Sequence, residues 1–147
     1  MSPTPAELPE SPGREPLSQD GDAAAEGAAA VSAFRRAEAL LEQRRPLEAL
    51  KVLDPLLGAA QAAASVHLRA ARAYLASAQF RRAEEGFLRV LDLDPADHYA
   101  RFALGRTLQR QSRLVEARAQ LRMAAAMDPR PEYQEALGEV SATIALR

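Results

Sequence analysis

The chain has 147 residues, room for one domain of ordinary size. Of these, 48% are hydrophobic but only 5% are aromatic, so a core has to be built mainly from Ala, Leu and Val, a composition that suits closely packed helices better than strands. The lack of any cysteine excludes disulfide frameworks and thiolate metal or redox sites and fits a reducing cytoplasm.

The net charge of −1 is unevenly placed: residues 1–29 carry six acids and one Arg, whereas residues 30–147 carry eighteen basic and fourteen acidic residues. An acidic arm thus precedes a basic body. The arm holds five of the ten prolines and three of the seven glycines, with no apolar residue bulkier than Met1, Leu8 and Leu17. It cannot repay the entropy of ordering and is expected to be disordered. Its end, residues 23–30, is Ala-rich and has the propensity to lead helically into the body. The first ten residues are rich in proline and acid where a secretory signal needs a basic start and an apolar stretch, and no later segment approaches the roughly 18 apolar residues that span a bilayer. The expectation is a cytoplasmic chain with no signal peptide and no membrane partner.

From about Ala30 the pattern is helical and paired. Phe34, Ala37, Leu40 and Leu41 share one face; after a break at residues 44–46, Leu50, Leu53 and Leu57 share another. Pro46 suits a helix start, where its missing amide is not needed, while Pro55 falls inside the second helix and is expected to bend it. A second pair follows from about Ala64: Leu68, Ala71 and Leu75, a turn at residues 77–79, then Phe80, Ala83, Phe87, Leu88 and Leu91 up to Asp94 and Pro95. The third pair has Phe102, Leu104, Gly105 and Leu108, a turn near Ser112, then Leu114, Ala117, Leu121, Ala124 and Met127 up to Asp128 and Pro129. Ala49, Ala83 and Ala117 are spaced by 34 residues, as are Pro95 and Pro129. A fixed period of this size marks units that bury their apolar faces only by stacking on neighbours. After Pro131, a stripe of Tyr133, Ala136, Leu137, Val140 and Ile144 predicts a last helix with one apolar face, the cap that an open solenoid end requires. The organisation is therefore an arm over 1–29, repeats over 30–63, 64–97 and 98–131, and a capping helix over 132–147.

These residues resemble the tetratricopeptide repeat family, whose 34-residue helix–turn–helix pattern runs W-x2-L-G-x2-Y, then A-x3-F, then P. The third repeat matches with Leu104, Gly105, Leu108, Ala117, Leu121, Ala124 and Pro129, and the second with Ala71, Tyr74, Ala83, Phe87 and Pro95. The first matches more loosely through Ala37, Leu40, Ala49 and Leu53, with Gln61 in place of the closing proline. The tryptophan is absent, and His67 and Arg101 stand in its place. The resemblance covers 30–131 and the cap. It implies an all-α, right-handed α-solenoid of three helix–turn–helix repeats plus the cap, with the small residues at close helix crossings and the facing Phe or Leu filling the hole they leave.

It also implies that the first helix of each repeat lines a concave groove for an extended or helical peptide. The candidate groove residues are Arg35 from the first repeat, Leu68, Arg69 and Arg72 from the second, and Tyr99, Phe102, Arg106, Gln109 and Arg110 from the third. Four arginines, Arg69, Arg72, Arg106 and Arg110, are expected to converge on one surface, with Glu38 and Glu42 at its other end. Arg forks onto carboxylates and stacks on rings, and the apolar neighbours supply anchoring pockets, so an acidic peptide or protein segment with hydrophobic anchors is the implied partner. Some family members hold a partner's C-terminal carboxylates with a Lys/Asn clamp; the matching places here are Phe34, Glu38, Arg69, Tyr99 and Ala103, so that clamp is absent. The charge split adds a further expectation, that Glu7, Glu10, Glu15, Asp20, Asp22 and Glu26 of the arm fold over the basic groove and compete with a partner.

Chemistry has little support. His67 and His98 lie in different repeats without the further ligands that a structural zinc site needs, the glycines form no phosphate loop, and Glu84 and Glu85 point in different directions on a helix. No nucleophile, base and orienter come together, so no enzyme activity, no cofactor and no metal are expected. The arginines are not interleaved with an aromatic platform and the acidic arm opposes phosphate, which argues against nucleic acid. The alternative to peptide binding is homodimer or larger self-assembly through the first repeat, which lacks an N-terminal cap.

Overall fold

The computed structural model describes residues 18–58 and 62–147 and contains, among them, seven α-helices: α1 (Ser18–Glu42), α2 (Pro46–Leu57), α3 (Ala64–Ala76), α4 (Phe80–Leu93), α5 (His98–Arg110), α6 (Leu114–Met127) and α7 (Pro131–Ala145). Helices α1 and α2, α3 and α4, and α5 and α6 form three antiparallel pairs, and α7 packs on the last pair. The result is the all-α repeat solenoid implied by the 34-residue period.

Within each pair the chain reverses through one residue in the left-handed region: Arg44 (φ 59°), Ala78 (φ 60°) and Ser112 (φ 61°). The next amide bonds back across the turn, Arg45 N to Leu40 O at 2.8 Å, Gln79 N to Tyr74 O at 2.8 Å and Arg113 N to Leu108 O at 3.0 Å. This six-to-one bond is the Schellman closure that satisfies otherwise orphaned helix carbonyls. None of the three turns has the glycine that such a conformation favours, so each carries the steric cost of a Cβ.

The pairs close up through small residues. A Cβ on Gly86 would stand 2.8 Å from the Ala71 Cβ, and one on Gly105 would stand 2.7 Å from Leu121 Cγ. These contacts place α4 against α3 and α6 against α5 at distances only a bare backbone allows. Ala83, Phe87, Ala117 and Leu121 are completely buried between them, and the apolar core runs continuously from the second repeat to Ala136 and Val140 of α7. Around the first repeat, Ala37, Ala49 and Leu53 gather with Ala70 and Ala73 of α3.

One sequence expectation changes. The helix expected from about Ala30 begins at Ser18, because the Ala-rich stretch sustains helix on propensity alone; residues 23–29 are exposed and gain nothing from packing. The rest of the expected arm, residues 1–17, lies outside the described residues, as does Gln61. Pro55 lies inside α2, where the sequence placed it, and the helix continues to Leu57 with the proline ring exposed. It does precede an early end: α2 has 12 residues, α4 and α6 have 14 each.

Candidate peptide groove

Helices α1, α3, α5 and α7 touch one another in succession, while α2, α4 and α6 do not. The odd-numbered helices therefore line the inner, concave side of the solenoid, and residues one repeat apart along them stand side by side. One such row is Glu38, Arg72 and Arg106, spaced by 34 residues, with Glu139, 33 residues past Arg106, at its end. Arg72 Nη1 donates to both Glu38 carboxylate oxygens at 3.0 Å, and Arg106 Nη1 donates to Glu139 Oε2 at 2.8 Å. The row is thus capped at each end by an acid, with the two arginines in its middle.

A second row builds on rings. The Arg69 guanidinium lies over Phe34, 4.9 Å from the ring centre, and its Nε is 3.4 Å from Glu38 Oε2. That Nε is buried and makes no aligned hydrogen bond, a cost that the ring and the nearby carboxylate offset. Phe102 stacks on Tyr133 of α7 with centroids 4.6 Å apart, Tyr99 sits 6.3 Å from Phe102, and Arg106 covers Phe102 at 5.7 Å. Burial pushes the Tyr99 phenol above its ordinary pKa while the hydrogen-bonded Arg72 beside it pulls the other way. The hydroxyl therefore stays a neutral donor and acceptor at physiological pH. Arg106 acts on Glu139 through its hydrogen bond and charge and holds that carboxyl below its ordinary pKa.

Of the candidate residues, Arg69, Arg72, Tyr99, Phe102, Arg106 and Gln109 come together across α3 and α5; Gln109 accepts from Arg106 Nη1 at 2.9 Å. Leu68 and Phe102 are half-buried and pack on the core, so they serve the floor more than the opening. Arg35 is exposed on α1. Arg110 departs from the others: its guanidinium lies 5.0 Å over Phe80, at the first turn of α4. The expected division, arginines at one end and Glu38 at the other, is therefore not what forms. Glu38 sits against Arg69 and Arg72, and Glu139 of the cap does the same for Arg106. The 34-residue period placed these residues in register, but no signal in the sequence distinguishes an acid that neutralises a groove arginine from one that merely faces solvent.

Near the groove end, His98 joins the last repeat to the cap. Its Nδ1 is 2.8 Å from the Tyr133 hydroxyl and its Nε2 is 3.2 Å from Asp128 Oδ2. His67, by contrast, is half-buried, and burial together with Arg89 lowers its pKa, which keeps the ring neutral. Among the described residues no group of three or more His, Cys, Asp or Glu is arranged to hold a metal ion, and no helix is long and apolar enough to cross a membrane.

Comparison with solved structures identifies the architecture. The chain is similar to the second TPR domain of human RPAP3, solved in complex with the HSP70 peptide SGPTIEEVD, at TM-score 0.72 and 19% identity over 78% of this chain and 97% of that one. It is similar to the first TPR of Spaghetti (RPAP3), bound to the HSP90 peptide SRMEEVD, at TM-score 0.74 and 18% identity over 80% of this chain and 94% of that one. The Arabidopsis OM64 TPR domain gives TM-score 0.72 and 20% identity over 78% and 94% of the two chains. No protein-family model and no curated protein matches the sequence. The likeness establishes the tetratricopeptide repeat fold.

Proposed function

Taking that fold as the premise, we propose that the chain is a non-catalytic adaptor or scaffold that binds a segment of a partner protein in the concave groove. The observation that carries this reading is the contiguous surface of Arg69, Arg72, Tyr99, Phe102 and Arg106 across two repeats, where guanidinium groups lie over half-buried rings beside the exposed Tyr99. Such a surface matches a segment with both carboxylates and hydrophobic anchors. Two of the solved structures with this fold contain peptides that end in EEVD, which supports peptide binding on this scaffold. The ligand chemistry of this chain is its own, because Phe34, Glu38, Arg69, Tyr99 and Ala103 stand at the places of a Lys/Asn clamp. The lack of cysteine fits action in the cytoplasm.

The paired acids define the mode. A ligand carboxylate reaches Arg72 or Arg106 by sharing or displacing Glu38 or Glu139, so electrostatics contribute selectivity more than raw affinity. The test is an unbiased peptide selection on the full chain, followed by affinity measurements on an Arg72→Glu/Arg106→Glu variant whose helicity is checked by circular dichroism. Selected peptides should be acidic with aliphatic or aromatic anchors and should lose about tenfold or more in affinity on the variant. Peptides held equally by both would move the site elsewhere. Glu38→Gln should act in the opposite direction, tightening the same peptides about two- to fivefold by removing the internal competitor.

A further inference from the structure

The open face of the first repeat has a composition that its position in the solenoid does not explain. Positions 36, 39 and 40 of α1 correspond, one period on, to Ala70, Ala73 and Tyr74, and two periods on to Leu104, Thr107 and Leu108. In the second and third repeats these positions pack against the preceding repeat: Ala70 and Leu104 are 3% and 2% exposed, and Ala73 and Thr107 are fully buried. In the first repeat they are Arg36, Ala39 and Leu40, and with Lys51 and Val52 of α2 they line an open trough of about 660 Å³. The trough is thus the vacant place of a preceding repeat, apolar at its base and basic at its rim. Arg45 at the edge is held by Glu48 at 2.6 Å, but no carboxylate among the described residues lies within ion-pair distance of Arg36 or Lys51.

We infer that this trough is covered in cis by the chain's own acidic segment ahead of α1, with Glu7 and Glu10 on Arg36 and Lys51 and Leu8 between them over Leu40 and Val52. Charge and length both support this occupant. The segment has Glu7, Leu8, Pro9 and Glu10 in succession and Glu15 nearer the helix, which complements a basic rim with an apolar base. Arg36 lies eighteen residues along α1 from Ser18, about 27 Å at the helical rise. Glu7 to Glu10 lie eight to eleven residues before Ser18, a reach of about 26–36 Å for extended chain, so a doubled-back segment arrives at the trough. The concave groove is the poorer receptor for the same segment, because its arginines already have Glu38 and Glu139.

A second copy fits less well. Pairing two first-repeat faces sets Arg36 and Lys51 against their own kind. Stacking the face on another molecule's α7 meets a lone helix with no second helix behind it, which is half of the surface a preceding repeat presents.

The native chain has no cysteine, so a Ser11→Cys variant of the full chain takes a single nitroxide label, and paramagnetic broadening of backbone amides reports where the segment lies. The amides of Ala39, Leu40 and Val52 should lose half or more of their intensity, Arg36→Glu/Lys51→Glu should restore it, and adding Glu7→Lys/Glu10→Lys to that variant should bring the broadening back. Broadening confined to the start of α1, or centred on Arg72 and Arg106, would overturn the inference. So would broadening that persists in the Arg36→Glu/Lys51→Glu variant, and so would its transfer to an unlabelled molecule in a mixed sample, which would identify a second copy as the occupant.

Discussion

The first and third repeats share a register but not an environment. Leu108 of the third repeat is 3% exposed between the second repeat and its own partner helix, and Leu104 and Thr107 beside it are buried as well. Their first-repeat counterparts Leu40, Arg36 and Ala39 look out on an open trough. What a residue contributes in a solenoid is therefore set less by its place in the motif than by whether a neighbouring repeat stands against it. The same rule explains why the cap is continuous with the core through Ala136 and Val140, while the first repeat has no such neighbour on its open face among the described residues.

The largest effect that tests this contrast is truncation at the same motif position. Leu108→Ala should cost about 2–5 kcal/mol in chemical denaturation, and Leu40→Ala about 1 kcal/mol or less; equal losses would break the comparison. Ala117→Leu should overpack the α5–α6 crossing, where Ala117 is fully buried, and cost about 1–3 kcal/mol. At the turns the sign reverses. Ala78→Gly removes a Cβ from a residue at φ 60° and should raise stability by about 0.5–1 kcal/mol, the steric gain partly offset by the freer unfolded chain. A smaller, pH-dependent effect should come from the cap. Arg106 lowers the folded-state pKa of Glu139 beneath its ordinary 4.5, so the pair's contribution is fully present above that value and is lost as pH falls through the lowered one. The difference in thermal midpoint between the wild type and Arg106→Gln should accordingly shrink below about pH 4.5, and a gap that stays constant to pH 3 would mean that the pair does not couple α5 to α7.

Much of the fold was legible because burial imposes a period. The spacing of Ala49, Ala83 and Ala117 located the crossings, and Pro95 and Pro129 located the ends of α4 and α6 at Leu93 and Met127. What the sequence concealed had no apolar signature. The three left-handed turn residues are Arg44, Ala78 and Ser112, none of them the glycine that advertises such a turn. The start of α1 rests on alanine propensity without packing, so hydrophobic periodicity begins well after the helix does. In the groove, the period aligned Glu38, Arg72 and Arg106, with Glu139 one residue short of the next step, but whether such charges pair depends on side-chain reach across the interface, and Glu38 and Glu139 were missed as the groove's internal counter-ions. The contact of Tyr133 with His98 and Phe102 was hidden for a related reason: its position predicted burial, and burial does not specify partners.

The most direct test of the account is amide chemical-shift mapping of the full chain titrated with a peptide obtained by unbiased selection. Perturbations concentrated on α3 and α5, around Arg69, Arg72, Tyr99 and Arg106, and abolished in the Arg72→Glu/Arg106→Glu variant, are the predicted result. Perturbations centred on α2, α4 and α6, on the side away from the groove and indifferent to that variant, would contradict it.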